Sequence, residues 1–370
     1  MSTPTPPPPL NYRDWEAAAR DRLPAMVYDY YAGGAHDEIT LAENRTALDA
    51  LRLHGRVLRD MSRRSPVTNL LGEELAFPLV VAPTALHEMA CAEGEAATAR
   101  AAGAAGVPLI LSTLSNVAVE EVCAASTGPV WFQLYVQRDR DRTARMVERA
   151  VQAGCSALVL TVDAQTWGIR ERDERNSFRM PEGLVMRNLA AAEASGRFPE
   201  VEGSGLAAYV TENFDTALSG KDLEWLVETA GVPVLVKGIL RADDARRAVD
   251  HGAAGIMVSN HGGRQLDTAP ASLEVLPAVA AALRDSGVPV LVDGGIRRGT
   301  DIIKALARGA HAVAVGRPVL WGLAVEGEAG VARVLATFHD EFDRAMALCG
   351  ARSVEEITPD LLSPPPPSHP

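Results

Sequence analysis

Little in this chain points to a disulfide scaffold, a metal centre or a membrane. Its 370 residues include only four cysteines, Cys91, Cys123, Cys155 and Cys349. None forms a C-x-x-C pair and their spacing matches no zinc pattern, so they read as buried thiols in a reducing cytosol, with no metal expected. No apolar run approaches the roughly 18 residues that a membrane helix needs. The N-terminal MSTPTPPPPL has neither a basic segment nor an apolar stretch, which excludes a secretory signal. Positive charge is also short: 36 Lys and Arg stand against 48 Asp and Glu, a formal net charge of −12. Such a chain is a poor ligand for nucleic acid or an anionic membrane, so a small molecule is the expected partner and the cytoplasm the expected location.

What is present is an ordinary globular composition, 47% hydrophobic and 23% charged, between two proline-rich ends. Residues 1–10 and 358–370 carry PTPPPP and SPPPPSHP and are expected to be disordered tails. Residues 11–357 then form one domain. Eight short runs read as strands: PLVVAPTA, PLILST, VWFQLYV, ALVLTVD, PVLVKG, GIMVSN, PVLVDGG and AVAVGRP. They are apolar on both faces, as parallel strands buried on both sides are. Helix-like segments such as DRTARMVERAVQAG and KDLEWLVETAG separate them and mostly end at glycine. The alternation predicts an α/β fold, a (β/α)8 TIM barrel with an N-terminal helical extension. A doubly wound open sheet is the alternative, but no G-x-G-x-x-G follows the first strand. The fourth unit departs from the rhythm: residues 171–220 hold no clear strand and are expected to form a lid over the C-terminal face.

In a barrel of this kind the strand C-termini surround the active site. Here they carry Pro83, Thr84 and Ala85; Ser112; Gln133 and Tyr135; Thr161 and Asp163; Lys237; Ser259, Asn260 and His261; Asp293, Gly294 and Gly295; and Gly316 and Arg317. The last two strand ends, DGGIRRG and GRP, combine glycines with Arg297 and Arg317, which suits a phosphate. Lys237 can stabilise an electron-rich ring or serve as a Schiff-base lysine. SNHGGRQLD, residues 259–267, places a titratable histidine beside a fixed cation on a glycine hinge. His261 suits a general base, Arg264 and Arg170 suit a carboxylate, and Asp163 suits a partner that raises the imidazole pKa. The other seven histidines read as structural or surface residues.

Taken in order, VYDYYAGGAHDE, FQLY, LTVD, LVKG, SNHGGRQLD, DGGIRRGTD and VGRP resemble the FMN-dependent 2-hydroxy acid oxidases and dehydrogenases. The resemblance spans about Tyr12 to Ile357. It implies that FMN phosphate sits on Gly295, Arg297, Gly316 and Arg317, with Gly294 and Ile296 alongside, and that Asp293 meets the ribityl chain. Lys237 would face the N1/O2 edge of the flavin, which removes the Schiff-base reading. Ser112, Gln133 and Thr161 would bond its pyrimidine edge, Ser259 would line it, and Pro83, Thr84 and Ala85 would lie near N5. Arg170, Arg264 and Tyr30 would hold the substrate carboxylate, Tyr135 would meet the hydroxyl region, and His261 with Asp163 would be the base. The implied reaction oxidises an (S)-2-hydroxy acid to a 2-keto acid. His261 takes either the hydroxyl proton, as hydride leaves Cα, or the Cα proton; the first is favoured here.

Leu114 replaces an aromatic frequent in glycolate oxidases, while Trp167 stands where many relatives are smaller, so the wall of the substrate pocket is not inherited. Ala85 matches the oxidases, and O2 giving hydrogen peroxide is the expected acceptor; a quinone or other acceptor is the alternative. The family resemblance also implies a homotetramer or larger assembly. Two other classes compete: a phosphate-binding barrel of different chemistry, such as an aldolase, which would not need Arg170, Arg264 and His261 together, and a non-catalytic binding barrel.

Overall fold

All eight apolar runs become parallel strands. In the computed structural model, which describes residues 8–190 and 205–363, a hairpin of β1 (Thr68–Leu70) and β2 (Glu73–Leu75) comes first. There follow β3 (Leu79–Val81), β4 (Leu109–Leu111), β5 (Val130–Leu134), β6 (Ala157–Thr161), β7 (Val234–Ile239), β8 (Gly255–Val258), β9 (Val290–Val292) and β10 (Ala312–Val315). These eight run in sequence order around a closed barrel, with β10 returning to pair with β3. The helices predicted between them form, each within a few residues of its expected span.

The two-residue period of a strand sorts the side chains into layers. Val80, Ile110, Trp131, Val159, Leu235, Met257, Leu291 and Ala312 fill the barrel interior. Two residues on, towards the C-terminal ends, the same inward positions become Ala82, Ser112, Gln133, Thr161, Lys237, Ser259, Asp293 and Ala314. A polar layer thus rests directly on an apolar plug. Leu70 and Leu75 of the hairpin join that plug from below. The hairpin turns on Leu71 and Gly72, at φ 54° and 83°, the left-handed pair that a two-residue loop requires. Glu73 accepts a hydrogen bond from the Trp131 indole at 3.1 Å.

The N-terminal extension is three helices, Tyr12–Arg22, Ala25–Ala32 and Ile39–Ala50. The expected lid contains helices Glu171–Arg175, Arg187–Ala190 and Gly205–Asn213 and no strand among its described residues. Residues 191–204 lie outside the described set. The described flanks are anchored, with Phe178, Met186, Leu189, Leu206 and Phe214 buried. Residues 8–10 and 358–363, expected to belong to disordered tails, are among those described. Leu361 is fully buried, Leu362 pairs with Leu53, and Ser363 N–H bonds the Arg52 carbonyl at 2.9 Å, because apolar burial and backbone bonding continue past Ile357. At the other end the Pro9 carbonyl accepts from Arg333 at 3.2 Å. Residues 1–7 and 364–370 lie outside the described set.

Trp131→Ala removes the largest side chain of the inner plug together with the indole bond to the hairpin. It should lower stability by about 3–5 kcal/mol, measured as a fall in denaturant midpoint.

Candidate active site

The polar layer opens into a cleft lined by the C-terminal ends of the strands, the N-terminal helices and the insertion. Of the residues singled out in the sequence, Tyr30, Pro83, Thr84, Ala85, Ser112, Leu114, Tyr135, Trp167, Arg170, Lys237, His261, Arg264, Asp293, Gly294, Gly295, Ile296, Arg297, Gly316 and Arg317 line it. Four do not. Gln133 and Thr161 join Ser112 in a chain of hydrogen bonds across the same layer, Ser112 Oγ to Gln133 Oε1 at 3.3 Å and Gln133 Nε2 to Thr161 Oγ1 at 3.0 Å. Ser259 Oγ accepts from the His261 N–H at 3.0 Å, and Asp163 stands behind the imidazole.

The histidine is held in a strained conformation. His261 has φ 59°, followed by Gly262 at 66° and Gly263 at 76°, a left-handed run that turns the chain sharply after β8. Nδ1 meets Asp163 Oδ1 at 2.9 Å, so with its proton directed at the carboxylate, Nε2 is left as the acceptor. Asp163 approaches because β7 bulges at Gly238, φ 107°, where a Cβ would lie 2.6 Å from the Asp163 carboxyl carbon. Asp163 raises the imidazole pKa through its charge and its hydrogen bond, as expected, but the net shift is down. Burial and the charge of Lys237 outweigh the carboxylate, and His261 falls below the usual histidine value. Burial pushes the Asp163 carboxyl up, but the imidazole and Lys237 overcome it and the net shift is down.

Around this pair positive charge is in excess. Lys237 Nζ lies 3.7 Å from Asp293. Arg170, Arg264, Arg297 and Arg317 have no carboxylate at ion-pair distance among the described residues. Arg170 is buried, and desolvation together with repulsion from Arg264 pushes its pKa down to about 9. Burial, then Arg264 and Arg297, lowers Arg317 as well. Backbone carbonyls satisfy part of the need. Arg264 donates to Tyr30 and Gly33 at 2.6 and 3.0 Å. Arg317 donates to Tyr31, Gly262 and Gly33 at 2.9, 3.0 and 2.9 Å, which commits three of a guanidinium's five N–H groups. Carbonyls carry no net charge, so the cleft is built for anions.

The aromatic side chains are braced by the insertion. Tyr30 stacks on Phe178 with ring centroids 4.4 Å apart, and Tyr135 stacks on Phe214 at 4.6 Å. The Arg170 guanidinium lies 3.8 Å from the Trp167 ring centroid, so Trp167 does more than pack against the insertion. Leu114, Trp167 and Leu206 form an apolar side of the cleft.

Several residues of the site were not foreseen. Tyr31, Ala82, Gly262, Leu206 and Leu320 also line it; Tyr31 and Gly262 had a signal, as neighbours of Tyr30 and His261. Asn44 and Asn260 exchange amide bonds at 2.9 and 2.8 Å, and Gly263 N–H bonds Asn260 Oδ1 at 3.1 Å, which ties the His261 turn to an N-terminal helix. Asp301 accepts from Arg45 at 2.6 Å and from the Arg297 and Arg298 N–H groups at 2.9 and 3.0 Å, which shapes the turn after β9. His87, read as structural, is buried, bridges Thr84 and Thr98 at 2.6 and 3.0 Å, and is kept neutral by a pKa that burial lowers to about 3.

Comparison with known proteins matches residues 19–364 to the model of the FMN-dependent dehydrogenases. The chain belongs to this family. It is 48% identical over 348 residues to the glycolate oxidase of Spinacia oleracea, covering 94% of each chain. It is 49% identical over 359 residues to an L-lactate oxidase of a Nostoc species, covering 96% of this chain and 98% of that one. Among solved structures, mandelate oxidase with (S)-4-hydroxymandelic acid superposes with a TM-score of 0.90 at 44% identity, over 96% of this chain and 98% of that one.

FMN is the cofactor of the family, and the residues here fit it. Arg297 and Arg317 offer charge for a phosphate beside the turn of Gly294 and Gly295. Asp293 Oδ1 is a buried acceptor with no hydrogen-bond partner, as a site for a hydroxyl donor requires. Gly295 stands at φ 80° with room for no side chain, since a Cβ would lie 2.3 Å from the Asn44 carbonyl oxygen. Gly295→Ala should therefore displace this turn. Equilibrium titration of the apoprotein with FMN should show affinity reduced at least tenfold, and the variant should melt at a lower temperature.

Proposed function

We propose that this chain oxidises (S)-2-hydroxy acids to 2-keto acids with FMN, passing the electrons to O2 and releasing hydrogen peroxide. The observation that carries this reading is the His261–Asp163 pair opening on the same cleft as Arg170 and Arg264, two guanidiniums without a carboxylate. When bound, FMN supplies the two-electron acceptor for the hydrogen that leaves Cα. The protein supplies the rest. Arg170 and Arg264 bind the substrate carboxylate and Tyr30 adds a hydrogen bond. That clamp directs the 2-hydroxyl to His261 Nε2, which takes its proton. Asp163 then stabilises the imidazolium through Nδ1–H. Lys237 would set a fixed positive charge beside bound FMN, and Pro83, Thr84 and Ala85 would help to hold its ring.

The substrate's remaining substituent meets Leu114, Trp167 and Leu206, which suits hydrogen or an apolar group. Names of the relatives as oxidases support O2 as acceptor. The four free cysteines suit a reducing cytoplasm, and no helix among the described residues is long and apolar enough to cross a membrane. Val57, Leu58 and Leu348 are 81%, 104% and 80% exposed, which supports a homo-oligomer that covers them.

An anaerobic visible spectrum tests the reaction. The flavin band should bleach on adding L-lactate, glycolate or L-mandelate and return on admitting air. Return only with an added quinone would replace O2 as the acceptor, and a band that none of the three acids bleaches would refute the activity. His261→Gln should keep the band and slow bleaching by about 10²–10⁴-fold.

The acid limb of kcat/KM gives a second check. Proton abstraction needs neutral imidazole, and the folded-state pKa of His261 is lowered. The rate should hold as pH falls to 6.5 and drop only below it. A limb centred above 6.5 would contradict the assignment.

A further inference from the structure

Cys123 and Cys155 take no part in the site, yet their sulfurs touch. Cys123 lies in the helix Val119–Ala125, and Cys155 in the turn that leads into β6. Their Sγ atoms are 3.6 Å apart across a sequence separation of 32. Among the described residues no other two thiols meet: Cys91 and Cys349 stand apart from them and from each other. Cys123 is part exposed and Cys155 buried, so Cys123 is the more accessible of the two. The pair sits at the start of β6, whereas the cleft gathers around the strand C-termini.

We propose that Cys123 and Cys155 are a peroxide-reactive dithiol that closes to an intramolecular disulfide. The oxidant is hydrogen peroxide, a solute small enough for the half-buried Cys123. The Cys123 thiolate attacks one peroxide oxygen, the O–O bond breaks, and the departing oxygen takes a proton and leaves as water. Cys123 is then a sulfenic acid. Cys155 Sγ attacks the Cys123 sulfur, the S–O bond breaks, and that oxygen leaves as a second water with the Cys155 proton. Two thiols lose two electrons and two protons, and one peroxide becomes two waters.

The local chemistry assigns the order. The hydrogen bond from Cys155 lowers the Cys123 thiol, while that bond and burial raise Cys155. Cys123 is the attacking sulfur and Cys155 the resolving one. Glu120 is the nearby anion, but Arg149 binds it through two bonds of 2.9 and 3.0 Å, which offsets its repulsion of a thiolate. The two sulfurs must move from contact to a bonded separation of about 2.05 Å, which rotation about the side-chain bonds provides. The product ties the helix Val119–Ala125 to the base of β6 and shortens the unfolded chain, so it acts as a stabilising staple.

The test treats the FMN-loaded enzyme with hydrogen peroxide, alkylates the remaining thiols and maps peptides without reduction. The expected result is a Cys123–Cys155 linked peptide, loss of two of the four alkylatable thiols, and a melting temperature raised by roughly a few degrees. Cys123→Ser should leave Cys155 reduced, turnover unchanged and the melting temperature insensitive to peroxide. Cys155→Ala should instead hold Cys123 as a sulfenic acid that dimedone labels. Four thiols that stay alkylatable in the native chain, or loss that maps to Cys91, would overturn the proposal. Because the peroxide is added, this result is independent of the acceptor used in turnover.

Discussion

Unbalanced positive charge at the barrel mouth is the constraint on which the structure turns. Five cations, Lys237, Arg170, Arg264, Arg297 and Arg317, share a cleft with one carboxylate, Asp293, while a second, Asp163, stands behind His261. Removing such groups from water costs several kcal/mol each unless something compensates. The protein compensates in part with backbone. The carbonyls of Tyr30, Tyr31 and Gly33 all face guanidiniums, which explains why the helix Ala25–Ala32 ends where it does. The remaining deficit suits anionic ligands.

The same charge sets the character of the base. Asp163 alone would make His261 more basic. Lys237, inward on the neighbouring strand, acts against it, and burial adds to Lys237. The outcome is an imidazole that is neutral near pH 7 yet has a carboxylate ready to stabilise its charged form. This balance depends on geometry of a few tenths of an ångström, because the bulge at Gly238 alone gives Asp163 room to reach the ring.

Much of this was legible in the sequence. Runs of Val, Ile and Leu bounded by Pro and Gly marked every barrel strand, because burial on both faces leaves no alternation to confuse with a surface strand. Polar residues at the ends of those runs marked the cleft. Less visible were β1 and β2, too short at three residues each to show a period. The Asn44–Asn260 pair joins residues 216 apart and leaves no local trace. Gln133 and Thr161 turn inward beside Ser112 as the strand period predicts, but the hydrogen bonds that link the three cross from strand to strand and leave no local trace. The net pKa of His261 was hidden for a related reason: its partner could be read from spacing, whereas burial and Lys237 act through the assembled barrel.

The hairpin beneath the barrel has a kinetic consequence. Leu70 and Leu75 stopper the N-terminal end, and the apolar plug above them is continuous. Traffic therefore passes through a single doorway at the other end. If Arg170 and Arg264 hold the carboxylate as proposed, a hydroxy acid arriving and a keto acid departing claim the same berth, and the product is a rival of the substrate there.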